Sequence, residues 1–218
     1  VELFFMLAGF LTAWNYRNRI AEMSPGEYMK RHYLKLLGPS VIVNLWAFIN
    51  AMIQLSAVPG SNAYIPTVTP LRFILSVLMI NTGWFTSYNQ TGLPLNSTMW
   101  FIDVLLLCYI IYFVLCRLAG STRAYCTACA AMILLGWICL EHAPGVPLLW
   151  NINGRGYAPF FIGAILYEFQ RDANEALRKK AAAVWGTFIL AFLVLRLTVG
   201  FEKIFGTVGS LGYVRYFE

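Results

Sequence analysis

Lys30, Arg31 and Lys35 fall within YMKRHYLKLLGP, Tyr28 to Pro39, and with Arg17 and Arg19 upstream they are the largest cluster of positive charge in the chain. Cations at that density hold phosphate through charge-assisted hydrogen bonds, so the run is a candidate anion site. Beside a membrane, the same residues would equally obey the positive-inside bias and attract anionic lipid. A second set of candidates interrupts apolar stretches: Glu2, Arg72, Asp103, Arg155 and Arg196. Charges in such places are costly and mark functional positions by default. Arginine can snorkel to headgroups, which offers Arg72, Arg155 and Arg196 a purely structural reading. The short carboxylate of Asp103 has no such reach, and a pocket or an ion-pair partner is its alternative. The rings of Trp100, near Asp103, and Tyr157, near Arg155, suit stacking on a sugar or membership of an interfacial aromatic belt.

Other chemistry-bearing residues carry less. Cys126 and Cys129 form CTAC, but no second ligand pair accompanies them, so no metal site is expected and the five cysteines read as small packing residues. His32 and His142 have no Ser, Cys or Asp at triad spacing and read as surface histidines. Asn89-Gln90-Thr91 and Asn96-Ser97-Thr98 match the glycosylation sequon, which has meaning only in a eukaryote.

The elements that must position these residues are set by composition. Hydrophobic residues make up 59% of the 218, charged residues only 12%, and mean hydropathy is +0.64. A soluble domain carries about 25% charged residues. The chain is therefore expected to be an integral membrane protein. Its apolar segments have the length a helix needs to cross a bilayer core of about 30 Å, and alternating strand patterns are absent, so helices rather than a barrel are expected. The net charge of +6 sits in short loops between the segments, which argues against nucleic acid as a partner.

Taken in order, Val1 to Tyr16 runs towards the cytoplasm, with Arg17 and Arg19 at its inner end. Ser24 and Pro25 start a short, basic interfacial helix that Gly38-Pro39 ends, and Val41 to Ala57 returns outward. If Leu71 to Phe85 crossed fully, the basic loops around Arg117 and Arg123 and around Arg171 to Lys180 would lie outside. A re-entrant dip over Leu71 to Ser97 restores the parity. Crossings then alternate over Thr98 to Cys116, Ala124 to Leu140, Gly156 to Phe169, Ala181 to Val199 and Ile204 to Phe217. The expected fold is all-α: one polytopic transmembrane helix bundle over residues 1–218, with about seven crossings and one re-entrant segment. Val1 is not an initiator methionine and its segment is short, so the sequence reads as a fragment lacking an upstream span.

VELFFMLAGFLTAW at the start of the chain resembles the Val-(Asp/Glu)-Leu-Phe-Phe-x-Leu-(Ser/Ala)-Gly-Phe signature of acyltransferase family 3, integral-membrane O-acyltransferases of bacterial type. YMKRHYLKLLGP is similar to that family's basic loop, STMWFIDVLLLCYIIY to its Trp-Phe span and RGYAPFFIGAILYEF to its late Phe-Phe-x-Gly segment. The resemblance covers essentially the whole chain in order. It implies a multi-pass protein of the cell membrane, in bacteria the inner or plasma membrane, with both ends cytoplasmic. It also implies transfer of an acyl group, acetyl in the first instance, from cytoplasmic acyl-CoA to a hydroxyl of a sugar or cell-surface glycan. Acyl-CoA is then a co-substrate and no cofactor is bound. Membrane lipid is a partner, and no protein partner is implied.

The resemblance further implies a catalytic histidine on an upstream first span. Neither His32 nor His142 occupies its place, so the 218 residues alone are expected to be inactive. Glu2, where many relatives have Asp, and Asp103, near where one branch has Glu, are candidates to support the reaction. Lys30, Arg31 and Lys35 would bind the acyl-CoA phosphates. Arg72, Trp100, Arg155, Tyr157 and Arg196 would line an acceptor pocket. A transporter or flippase for a lipid-linked sugar, and a non-catalytic scaffold on the same helices, stand as alternatives; the paired half-helices or internal repeats a transporter would show are not found.

Overall fold

The computed structural model describes residues 1–57, 70–85, 100–142 and 145–173, with residues 180, 183, 187 and 190. Among them every regular element is a helix: α1 Glu2–Tyr16, α2 Pro25–Ala57, α3 Pro70–Val77, α4 Trp100–Leu118, α5 Thr122–His142 and α6 Asn151–Asp172. Among the described residues, three stretches are long and apolar enough to cross a membrane: Pro25–Asn50 within α2, and α4 and α5. The expected spans Ala181 to Val199 and Ile204 to Phe217 lie almost wholly outside the described residues, as do the segment from Val58 to Thr69, both sequons and Arg196. The chain divides into two compact units, Val1–Glu168 and Phe169–Glu218.

In the first unit, α1 and α6 run parallel in close backbone contact. A Cβ on Gly9 would run into the Phe160 carbonyl, and one on Gly163 into the carbonyl of Met6. Small residues permit this approach, and close packing is what joins helices in a lipid solvent that is as apolar as their own side chains. Gly136 of α5 seats against Ala158 in the same way. Surrounded so, α6 buries Tyr157, Phe160, Phe161 and Ala164. Helix α2, by contrast, exposes Ile42, Leu45, Trp46, Ile49 and Ile53, as a face towards lipid would.

Two ends of this bundle can be told apart. Glu2, Trp100 and Arg155 meet at the starts of α1, α4 and α6, and Arg17 meets Glu168 at the other end. Helix α5 is antiparallel to these three, because Arg17 lies 4.1 Å over the ring of Tyr125 in its first turn. Glu141, near the last residue of α5, is therefore at the Glu2 end, whereas Tyr28 packs on Tyr16 and puts Lys30 at the Arg17 end. Arg117 closes the Arg17 end by donating to the carbonyls of Ala21 and Met23, both over 2.8 Å.

The structure corrects the expectation that Gly38-Pro39 ends a separate interfacial helix. Ser24 does cap the start, accepting from the Glu27 N–H over 3.1 Å, but the helix then runs unbroken from Pro25 to Ala57 with Pro39 inside it. Proline removes one backbone hydrogen bond, a cost of about 3 kcal/mol. Contacts on both sides of it offset the loss. Before it Tyr28 and His32 pack on α1 and α4; after it Ser40 and Asn44 are buried and bonded to the carbonyls of Ser76 and Val77.

Of the segment expected to dip, residues 71–85 are described, beginning with α3, whose eight residues rise only about 12 Å. Helix α3 descends antiparallel to α2, with Phe73 beside Phe48 and Val77 beside Ser40. The chain turns through Met79 at φ 58°, and Thr82 reaches the first turn of α4 at the Glu2 end. Residues 86–97 of the segment lie outside the described residues.

Candidate functional site

At the Glu2 end, three of the candidates come together. Arg155 donates through both Nε and a terminal nitrogen to Glu2 Oε1, each over 2.7 Å, and its guanidinium lies 5.0 Å from the Trp100 ring. Charge-assisted bonds and stacking together fix the guanidinium plane. Glu2 is exposed and Arg155 about one-third exposed. The Phe5 ring is tilted against Trp100 with its centre 6.2 Å away, so the indole has two neighbours, Phe5 and Arg155.

Asp103 and Tyr157 lie deeper. The Asp103 carboxylate is buried and accepts from the Thr82 N–H over 2.9 Å and from the N–H of Asn81. Trp84 donates its indole N–H to the Asp103 carbonyl over 3.2 Å. From α6, Asn153 donates to the Gly83 carbonyl over 2.9 Å and to the Tyr157 hydroxyl over 3.1 Å, and that hydroxyl donates to the Leu148 carbonyl. Gly83 has φ 85° and sits so close to Val104 and Asn153 that any side chain there would collide. Asn81 to Trp84 is thus an irregular turn whose buried backbone groups are met by side chains of α4 and α6, the condition for non-helical backbone inside a bundle. The side chain of Arg72 and the whole of Arg196 lie outside the described residues.

At the Arg17 end, Lys30, Arg31 and Lys35 are all exposed, and Arg31 pairs with Glu27 over 2.7 Å. Arg31 and Lys35 are one helical turn apart and share a face; Lys30 is turned about 100° from Arg31. His32, expected at the surface, instead packs inward against the rings of Tyr109, Tyr28 and Tyr16 at 4.1, 4.5 and 4.9 Å. The reason is its spacing: Tyr28, His32, Leu36 and Ser40 recur every fourth residue on the face of α2 that meets α1 and α4.

Sequence reasoning named Arg17 but passed over Glu168, Asn153 and Trp84, which matter here. Arg17 and Glu168 form an ion pair at 2.8 Å with little exposure, 14% and 4%. The available signal was an acidic residue inside an apolar segment whose inner end faces an arginine. Asn153, wholly buried between the turn and Tyr157, gave no signal, because an Asn at a helix start reads as a cap. Trp84 gave none either.

Among models of protein families, the one described as an acyltransferase domain matches residues 1–215, across both units. No curated protein and no solved structure matches the chain. The family model agrees with the resemblance carried by VELFFMLAGF and YMKRHYLKLLGP: this chain belongs to acyltransferase family 3, the membrane acyltransferases.

Proposed function

We propose that the protein moves an acyl group, acetyl in the first instance, from cytoplasmic acyl-CoA to a hydroxyl of a sugar or cell-surface glycan, as one domain embedded in a bacterial cell membrane. The observation that carries this reading is the separation of two unlike clusters by one helix bundle. Exposed cations stand at the Arg17 end and the Glu2–Arg155–Trp100 group stands at the other. The first suits the phosphates of coenzyme A, each charge-assisted contact being worth about 1.5–3 kcal/mol. The second suits a polyhydroxyl acceptor, which Arg155 and Glu2 can hydrogen-bond while Trp100 bounds the site.

In the transfer, the acceptor oxygen attacks the thioester carbonyl carbon, and its proton passes to a general base. The carbon–sulfur bond then breaks, and coenzyme A leaves as the thiol after taking up a proton. The family's histidine is the base, and the resemblance places it at neither His32 nor His142. The descent and return of residues 70–84 support a re-entrant segment, which keeps the loops carrying Arg117 and Arg123 on the cytoplasmic side with Lys30. The test is acyl-CoA-dependent labelling of glycan by the full-length protein in membranes: label is expected with wild type, and its absence at any acyl-CoA concentration would set the reading aside.

A further inference from the structure

His32 and Tyr28 present an unexplained pair of atoms. His32 Nε2 and Tyr28 Oη are both buried, and neither has a hydrogen-bond partner among the described residues. They are two of seven such atoms among the described residues, and what sets them apart is that their rings touch at 4.5 Å beside the exposed cations of α2. Packing does not supply a reason for them, because phenylalanine and leucine would fill the same space among Tyr16, Tyr109 and Phe113 without a desolvated polar group. Their place on the helix does. Arg31 follows Tyr28 by three residues and Lys35 follows His32 by three, so the orphans lie on the stripe of α2 that the two same-face cations flank.

We propose that Tyr28 Oη and His32 Nε2 bind the amide-bearing arm of the thioester donor, whose phosphates rest on Arg31 and Lys35. This rests on the acyl-CoA reading and names the part of the donor that these residues recognise. A hydroxyl and an imidazole nitrogen can each pair with an amide C=O or N–H, and both amides of coenzyme A lie in the arm rather than in the nucleotide half. Held there, the arm directs the thioester into the bundle, away from the Arg17 end.

The test compares two probes by calorimetry on the detergent-solubilised full-length protein: coenzyme A, and adenosine bisphosphate, which has phosphates but no arm. Tyr28→Phe and His32→Ala are expected to weaken coenzyme A about tenfold each, the loss of one hydrogen bond, and to leave adenosine bisphosphate unchanged. Lys35→Ala is expected to weaken both probes. Tyr28→Phe removes only an atom with no protein partner, so its melting temperature should not fall, and the result stands even if His32→Ala folds poorly. Unchanged coenzyme A affinity in Tyr28→Phe, or equal weakening of both probes, would overturn the inference. Failure of the wild type to bind either probe would overturn the acyl-CoA reading itself.

Discussion

Arg17 Nε lies 2.8 Å from Glu168 Oε1, joining the end of α1 to the end of α6 with both side chains nearly withdrawn from solvent. At the opposite end of the same parallel helices, Arg155 of α6 pairs with Glu2 of α1, so the polarity of the charges is reversed between the two ends. A buried pair is strongly missed when one partner goes, because the other charge is left without compensation. Glu168→Ala is therefore expected to destabilise the protein by about 3 kcal/mol. Glu2→Ala, at an exposed pair, should cost under about 1 kcal/mol. Thermal unfolding in one detergent, comparing the two variants, measures the difference; equal losses would contradict the assignment.

The contact between α1 and α6 depends on glycine at two positions where a side chain would meet backbone rather than a movable side chain. Gly9→Ala and Gly163→Ala are expected to force the helices apart, at a cost of about 1–3 kcal/mol or more. Gly26 faces open space on α2, so Ala there should be neutral or stabilise by up to about 1 kcal/mol. Unfolding midpoints of the three variants test the contrast, which predicts a loss only where the helices touch.

Asp103 holds the irregular turn from Asn81 to Trp84 rather than standing open to solvent. Asp103→Asn keeps an oxygen to accept from Thr82 and is expected to cost less than Asp103→Leu, which leaves the buried N–H groups unpaired at about 1–3 kcal/mol each. A cysteine placed at Thr82 should react slowly with a polar maleimide in the wild-type background and faster in Asp103→Leu. Equal rates would show that the turn does not depend on this carboxylate.

Much of this was legible in the sequence. Segment positions followed from hydropathy, and the placement of Glu2, Arg155 and Trp100 at one end followed from counting crossings against basic loops. The dip expected over Leu71 to Ser97 rested on parity alone, and of it only residues 71–85 are described. What was not legible depended on which face of a helix met which neighbour. Pro39 read as a terminator because the Ser40 and Asn44 bonds that support the helix beyond it are made to a segment more than thirty residues away. His32 read as a surface residue because its basic neighbours are exposed, while the four-residue spacing from Tyr28 turns it inward. Asn153 and Trp84 take their roles from one irregular turn, and no local pattern announces such a turn.

The cation face yields a graded expectation. Lys30→Ala combined with Arg31→Ala should raise the acyl-CoA concentration needed for half-maximal transfer about tenfold or more, and leave the rate at saturation largely intact. Of single changes, Lys35→Ala should exceed Lys30→Ala, because Lys30 is turned away from the other two cations. Initial rates over an acyl-CoA series measure both; dependence unchanged in every variant would remove this loop from donor binding.

The most direct measurement uses sealed membrane vesicles of known orientation that contain the full-length protein, with radiolabelled acetyl-CoA added to the outside only. Label is expected to enter glycan when the face carrying Lys30 and Lys35 is outward, and not when the face carrying Glu141 and Glu2 is outward. Incorporation only in the second orientation would contradict the account, because the donor would then be reaching the bundle from the end that holds the acceptor group.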